Sequence, residues 1–286
     1  MLRSKHTRAI VVTRAELLVA VLAGIVQGVV EWLPVSSQGN LALVLTLVGT
    51  DPATALQLAL FLQVGTTLSA ATYYREELWD VLLTVPSWRP SRAFDADNAL
   101  VSYLVVASGM TGVVGIPLYT VAVDVVGELT GGVFIALIGG LLVATGVVQL
   151  VSDAVSMGGA TRPTIGDSLL VGAAQGLAIL PGVSRSGMTT STLLFRSYDP
   201  PTAFRLSFLL SIPASLGAAA LTLIGAGGLP GISPMAAGVA LAVSAVFGYL
   251  TIDALLRVVE RVPFWAVCVG LGGLAIIGGG LVAVFV

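Results

Sequence analysis

Long apolar stretches alternate with short polar connections along the chain. Six of them reach the roughly 20 residues that a bilayer crossing needs: Pro52–Tyr74, Ala99–Val121, Gly131–Val151, Pro201–Leu223, Met235–Arg257 and Pro263–Phe285. Two further apolar regions break too early. Glu16–Leu33 reads as a helix, stops at Pro34-Val-Ser-Ser-Gln-Gly and resumes only to Gly49. Gly166–Leu180 stops at Pro181-Gly-Val-Ser-Arg-Ser-Gly and resumes only to Arg196. Each pattern predicts two half-helices around a polar tip. Irregular backbone at membrane depth is tolerated only where protein or a wet cavity satisfies its polar groups. The plainer alternative for each region is one kinked crossing helix.

The two broken regions are related. At a shift of 148 residues, Gly24–Gly39 falls on Gly172–Gly187 without a gap and six of sixteen positions are identical. The same shift sets Asp51–Ala71 on Asp199–Ala219 with nine of twenty-one identical. Similarity between apolar helices is common, but an unbroken register through Gln-Gly, Val-Ser and Asp-Pro is not. The unit is one re-entrant pair plus three spans, used twice within a single membrane domain over 1–286: about 15–151, then about 163–286. A re-entrant pair returns to its starting side and three spans then change sides, so the count predicts inverted repeats. The expected fold is an all-α polytopic membrane protein with six spanning helices and two re-entrant pairs. In such folds broken helices meet near the midplane and form the site. Glu31, Ser36 and Ser37 are then expected beside Ser184, Arg185 and Ser186. Gln27 and Gln175, at matched positions, are expected to hydrogen-bond across the interface.

Composition agrees. The 286 residues are 56% hydrophobic and 10% charged, against about 25% charged in soluble domains, and the mean hydropathy is +1.00. This is a multi-pass protein of the cell membrane. A net charge of −2 argues against nucleic acid as a partner. The single Cys268 excludes disulfides, and His6, the one histidine, sits in a basic N-terminal tail in which we read no removable signal peptide. Arg75, Arg89, Arg92, Arg162, Arg196, Arg257 and Arg261 fall on one side of the counted topology. The positive-inside rule makes that side cytoplasmic, although the basic tail opposes it. Nothing in the sequence bears on oligomeric state.

The tips carry the candidate chemistry. An Arg at membrane depth costs about 2.5–3.5 kcal/mol on insertion scales, so Arg185 needs an anionic partner or a wet cavity. Its planar fork suits phosphate. Ser184 and Ser186 flank it, a helix expected to resume near Gly187 would aim free N–H groups at the same place, and Thr189 and Thr190 would lie in its first turn. The bland reading is a structural ion pair with Glu31. Glu31 itself is paired, bound to a metal or protonated, and Ser37 adds a hydroxyl able to act as nucleophile.

The stretches "QGVVEWLPVSSQGN" and "LPGVSRSGMTTS" resemble the two signature motifs of the undecaprenyl-diphosphate phosphatase family of the bacitracin-resistance type. "LALFLQVGTTLSA" and "FLLSIPASLGA" are similar to it as well, so the resemblance covers essentially the whole chain. It implies two inverted repeats with re-entrant helices, and hydrolysis of a polyprenyl diphosphate to the monophosphate carrier used in envelope or glycan assembly. It places the functional positions on Glu31, Ser37, Ser184, Arg185 and Thr189. The family's first motif usually has Glu at Gln27 and His at Asn40, which leaves Glu31 as the lone acid–base group of the site.

The expected function is therefore a polyprenyl-diphosphate phosphatase. Glu31, Ser37 and Arg185 are the catalytic residues. Ser184, Arg185, Ser186, Thr189, Asn40 and Gln27 bind substrate, and Asn40 is expected to face the same cavity as Ser37. Glu31 is the candidate ligand for a divalent cation, Mg or Ca, although a Gln at position 27 weakens such a site. The partner is a membrane-embedded polyprenyl diphosphate lipid. The alternative is a lipid-phosphate carrier built on the same anion site.

Overall fold

The computed structural model describes residues 13–95, 98–155, 158–259 and 261–285. The tail that holds His6 lies outside them. The described residues form eleven α-helices: α1 (Arg14–Val30), α2 (Ser37–Leu47), α3 (Pro52–Tyr73), α4 (Arg75–Thr84), α5 (Ala99–Gly127), α6 (Gly131–Val155), α7 (Ile165–Leu177), α8 (Arg185–Phe195), α9 (Pro200–Gly225), α10 (Pro234–Val259) and α11 (Phe264–Phe285). Six of these, α3, α5, α6, α9, α10 and α11, are long and apolar enough to cross a membrane. The chain is a multi-pass membrane protein. Helix starts follow ordinary capping: Asp51 and Asp199, each followed by Pro, accept from the N–H of Thr54 and Thr202 at 2.9 Å.

Glycines set the helix pairs and reveal their directions. On α1, a Cβ at Gly24 would strike Ala240 and Val243 of α10, and one at Gly28 would strike Ser244, Phe247 and Gly248. On α7, Gly172 abuts Ala107 and Met110 of α5, and Gly176 abuts Val114 and Gly115. Gly24 and Gly28 are the repeat equivalents of Gly172 and Gly176, so both units use one Gly-x-x-x-Gly device for close approach. Gly132, Gly139 and Gly146 ascend α6 in steps of seven while their α11 partners Gly279, Gly272 and Trp265 descend. These third spans of the two units therefore run in opposite senses.

The same registers decide between re-entrant and kinked crossing helices. α1 ascends alongside α10. So does α3, where Gly65 meets Leu241 and Ser244, and Ser69 meets Ala245 and Gly248. Helices α1 and α3 thus share one sense, and α2 must return the chain between them. Likewise α7 ascends with α5. So does α9, through Tyr103 with Leu206 and Tyr119 with Gly225, and α8 must return. Neither broken region is a single crossing.

The connection from α3 to α5, expected only as an arginine-bearing loop, contains α4, a short helix with Trp79, Leu82 and Leu83 exposed. The base of the second hairpin is stapled. Buried Asp167 in the first turn of α7 accepts from Arg196 Nε at 2.5 Å, Tyr198 Oη at 2.9 Å and the Thr164 N–H at 2.9 Å. This holds the two legs of α7–α8 at a fixed separation and so fixes where their tip sits.

Candidate functional site

The site is the meeting of the two tips. Their contact is direct: a Cβ at Gly39 would lie 2.6 Å from the Gly182 N, and Ser36 Oγ reaches the Val183 carbonyl at 3.4 Å. Spanning helices satisfy the irregular backbone between the half-helices. Gln149 of α6 donates to the Pro34 carbonyl at 2.7 Å, the Ser184 N–H donates to Thr145 Oγ1 at 3.3 Å, and buried Trp32 donates to the Gly248 carbonyl at 3.0 Å. Each tip is thus bolted to helices that cross the bilayer.

Both returning helices begin at the tips. Helix α2 starts at Ser37 behind Ser36, whose side chain accepts from the Gly39 N–H and whose φ of 60° is left-handed. Helix α8 starts at Arg185 behind Ser184, whose side chain accepts from the Gly187 N–H. Ser37 and Arg185 are repeat equivalents at the 148-residue shift, each the first residue of its helix. Two helix N-termini, with their free N–H groups and positive dipole ends, meet at one place. That is an anion-binding arrangement.

Glu31 occupies its centre. It is 4% exposed. One carboxylate oxygen pairs with Arg185 Nη2. The other accepts from Ser37 Oγ at 2.6 Å and from Gln27 Nε2 at 2.7 Å. The Arg185 fork is held from its other side too. Its Nη1 donates to Ser215 Oγ at 3.0 Å. Ser215 donates to Gln63 Oε1 at 3.1 Å, Gln63 donates to Gln38 Oε1 at 3.2 Å, and Gln38 donates to the Ile179 carbonyl at 3.0 Å. This relay ties α9, α3, α2 and the second tip to one guanidinium.

A small polar cavity lined by Glu31, Ser36, Ser37, Ser184, Arg185 and Ser186 lies at this junction. Four of the expected site residues besides Arg185 therefore converge: Glu31, Ser37, Ser184 and Ser186. Three do not line it. Gln27 sits behind Glu31 on the same helix and orients it, and neither it nor Gln175 pairs with the other: Gln175 Nε2 donates to Thr111 at 3.1 Å. Asn40 is turned back onto its own tip, donating to the Val35 and Ser36 carbonyls at 2.6 and 2.9 Å. Thr189 is fully buried one turn along α8 from Arg185, bonded to the Arg185 carbonyl and to Ser207 of α9. Both corrections have one cause. With α2 and α8 beginning at Ser37 and Arg185, residues three and four places on share their face but sit about 4.5–6 Å further along the axis, away from the tip. A larger cavity, about 390 Å³, lies elsewhere along α8, against Thr190, Asp153 and Arg261, and includes none of Glu31, Ser37 and Arg185.

The sequence reading missed Gln38, Gln63 and Ser215. Gln63 carried a signal, as a long amide in the middle of an apolar span. Its partners became evident only with the packing of α3 on α9.

The residues do not fit a caged divalent cation. Both oxygens of Glu31 are taken by Arg185, Ser37 and Gln27, and Gln27 turns its N–H rather than its carbonyl toward the carboxylate. Among the described residues no three His, Cys, Asp or Glu side chains form a group able to hold a metal. A hard cation seeks six or more oxygen ligands, and one engaged carboxylate is a poor start.

Comparison with known proteins agrees with this geometry. The family described as bacitracin resistance protein BacA matches residues 20–274. A protein of Haloarcula marismortui named undecaprenyl-diphosphatase is 52% identical over 268 residues, covering 93% of this chain and 98% of that protein. Proteins of the same name from Methanococcoides burtonii and Methanopyrus kandleri are 41% and 38% identical, covering 90% and 92% of this chain and 96% of each relative. With the family matched over residues 20–274 and relatives at up to 52% identity across nearly the whole chain, the chain belongs to the BacA family.

Proposed function

We propose that this protein hydrolyses the diphosphate of a membrane polyprenyl lipid, releasing inorganic phosphate and leaving the lipid monophosphate. The observation that carries this is the Ser37 hydroxyl donating at 2.6 Å to a buried carboxylate whose other oxygen holds an arginine. A nucleophile, its base and an anion clamp lie within one hydrogen-bonded group. The names of the relatives point the same way and lend nothing to the carrier alternative.

In the mechanism the terminal phosphate displaces the Glu31 oxygen from Arg185, whose fork then binds two phosphate oxygens. Free N–H groups at the starts of α2 and α8 face the same charge. Ser37 Oγ attacks the terminal phosphorus and gives its proton to Glu31. The bond from that phosphorus to the bridging oxygen breaks, and the lipid monophosphate departs with the bridging oxygen. Glu31 passes that proton to the departing monophosphate; water then attacks the phosphoserine and gives a proton to Glu31, which returns it to Ser37 Oγ as the phosphorus–Oγ bond breaks, and inorganic phosphate leaves. Catalysis here is positioning and charge stabilisation, which explains why the site is bolted to four spanning helices. No step is routed through a metal.

Protein purified in detergent should release inorganic phosphate from farnesyl or undecaprenyl diphosphate, with the lipid monophosphate in equal amount. Binding of these lipids without phosphate release would overturn the proposal.

A further inference from the structure

A second cavity touches the site from behind. It shares Gln38, Gln63 and Arg185 with the polar cavity and continues between α5 and α9, past Gly115, Ala214 and Ala218. Gly115, Ala214 and Ala218 make its α5–α9 side small and apolar, while Gln38, Gln63, Gln175 and Arg185 line it elsewhere. Ala214 and Ala218 are only partly buried, so this end lies at the lipid-facing seam of the two helices. At the inner end the Oε1 of Gln175, a residue 3% exposed, has no hydrogen-bond partner within the protein. An acceptor buried in this way is open to a donor from outside the chain, such as a water. As it stands the cavity measures about 50 Å³, room for a water or two at about 30 Å³ each.

Both helices bordering the seam carry an internal proline, Pro117 in α5 and Pro213 in α9. Each removes a backbone hydrogen bond and weakens its helix locally. Pro117 lies two residues beyond Gly115, and Pro213 precedes Ala214. The weak points therefore flank the slot on both sides.

We infer that the α5–α9 seam is the lateral slot for the lipid tail: the helices part at Pro117 and Pro213, and the first isoprene units lie between Gly115, Ala214 and Ala218. This deepens the phosphatase reading and rests on it for the identity of the lipid. The slot begins at Arg185, so a diphosphate clamped there sends its chain straight into it. Water at the slot's inner end satisfies Gln175 and hydrates the link between the chain and the α-phosphate. The small side chains at 115, 214 and 218 leave a path that a bulky residue would fill.

The test uses farnesyl diphosphate with a photoreactive diazirine in its first isoprene unit, added to the purified full-length protein. Label should fall on peptides covering residues 111–118 of α5 and 213–219 of α9, and Ala218→Phe should reduce it at least tenfold. Leu216→Phe, on the exposed face of the same helix, should leave labelling unchanged. In turnover, Ala218→Phe should raise KM for farnesyl diphosphate at least tenfold while sparing methyl diphosphate, which has no tail. Label on α6, α10 or α11 instead, or equal loss with both substrates, would overturn the slot. Labelling reads the slot without turnover, so failure of the phosphatase reading would appear separately, as correct labelling with no phosphate released.

Discussion

Replacing Arg185 by Lys should abolish turnover almost as fully as replacing it by Ala. The side chain is held between Glu31 and Ser215 so that its fork faces the junction of the two tips. A guanidinium offers two parallel donors to a phosphate, whereas an ammonium is a point charge that cannot reproduce that geometry. Loss of a single preorganised donor to a developing anion costs about 10²–10³-fold in rate, and both substitutions remove at least one. The measurement is kcat/KM for farnesyl diphosphate, with thermal unfolding to show that both variants fold. A Lys variant with near-normal turnover would mean that Arg185 serves only as a counter-ion to Glu31.

Glu31→Gln should be as severe, by about 10²–10⁴-fold, the usual contribution of general acid–base catalysis. The amide keeps the shape but cannot take the Ser37 proton, and it turns one N–H toward donors that already face the carboxylate. The loss should fall on kcat rather than KM, since phosphate binding stays with Arg185 and the helix N-termini. Asn40→Ala makes the contrast. Its side chain supports the Val35 and Ser36 carbonyls; Ser36 keeps the Asn40 N–H, so the expected loss is about 1–3 kcal/mol of stability from the unsatisfied Val35 carbonyl, with turnover largely kept at low temperature. If Asn40→Ala proved silent in unfolding and crippling in turnover, while Glu31→Gln remained active, the proton chemistry would belong to another residue.

Much of this arrangement was legible because the repeat runs without a gap. Matching Gly24 to Gly172 and Gly28 to Gly176 already implied that α1 and α7 use equivalent packing edges, and the structure gives each its own partner helix. The convergence of Glu31 with Arg185 followed from the two polar breaks, since irregular backbone in lipid must find company. The direction of individual side chains was not legible. Asn40 and Thr189 lie inside the motifs yet do not line the cavity, because the helix starts at Ser37 and Arg185 set them about one turn along the axis from the tips. Gln63 and Ser215 lie outside the motifs yet hold the Arg185 fork. Their role depends on α3 meeting α9, a contact between distant segments that no local pattern specifies. Helix α4 was missed because its charges remove it from any search for spans and its ten residues are too few to cross.

In the proposed mechanism Ser37 takes the terminal phosphate with Glu31 as its base. The most direct measurement is acid quenching of the purified protein within its first turnovers on farnesyl diphosphate labelled in the terminal phosphate, followed by peptide mapping. Acid-stable label is expected on the peptide containing Ser37, accumulating in a variant slowed at the water step and absent in Ser37→Ala, which also releases no phosphate. Continued phosphate release by Ser37→Ala, at a rate near that of the unaltered protein, would contradict this mechanism.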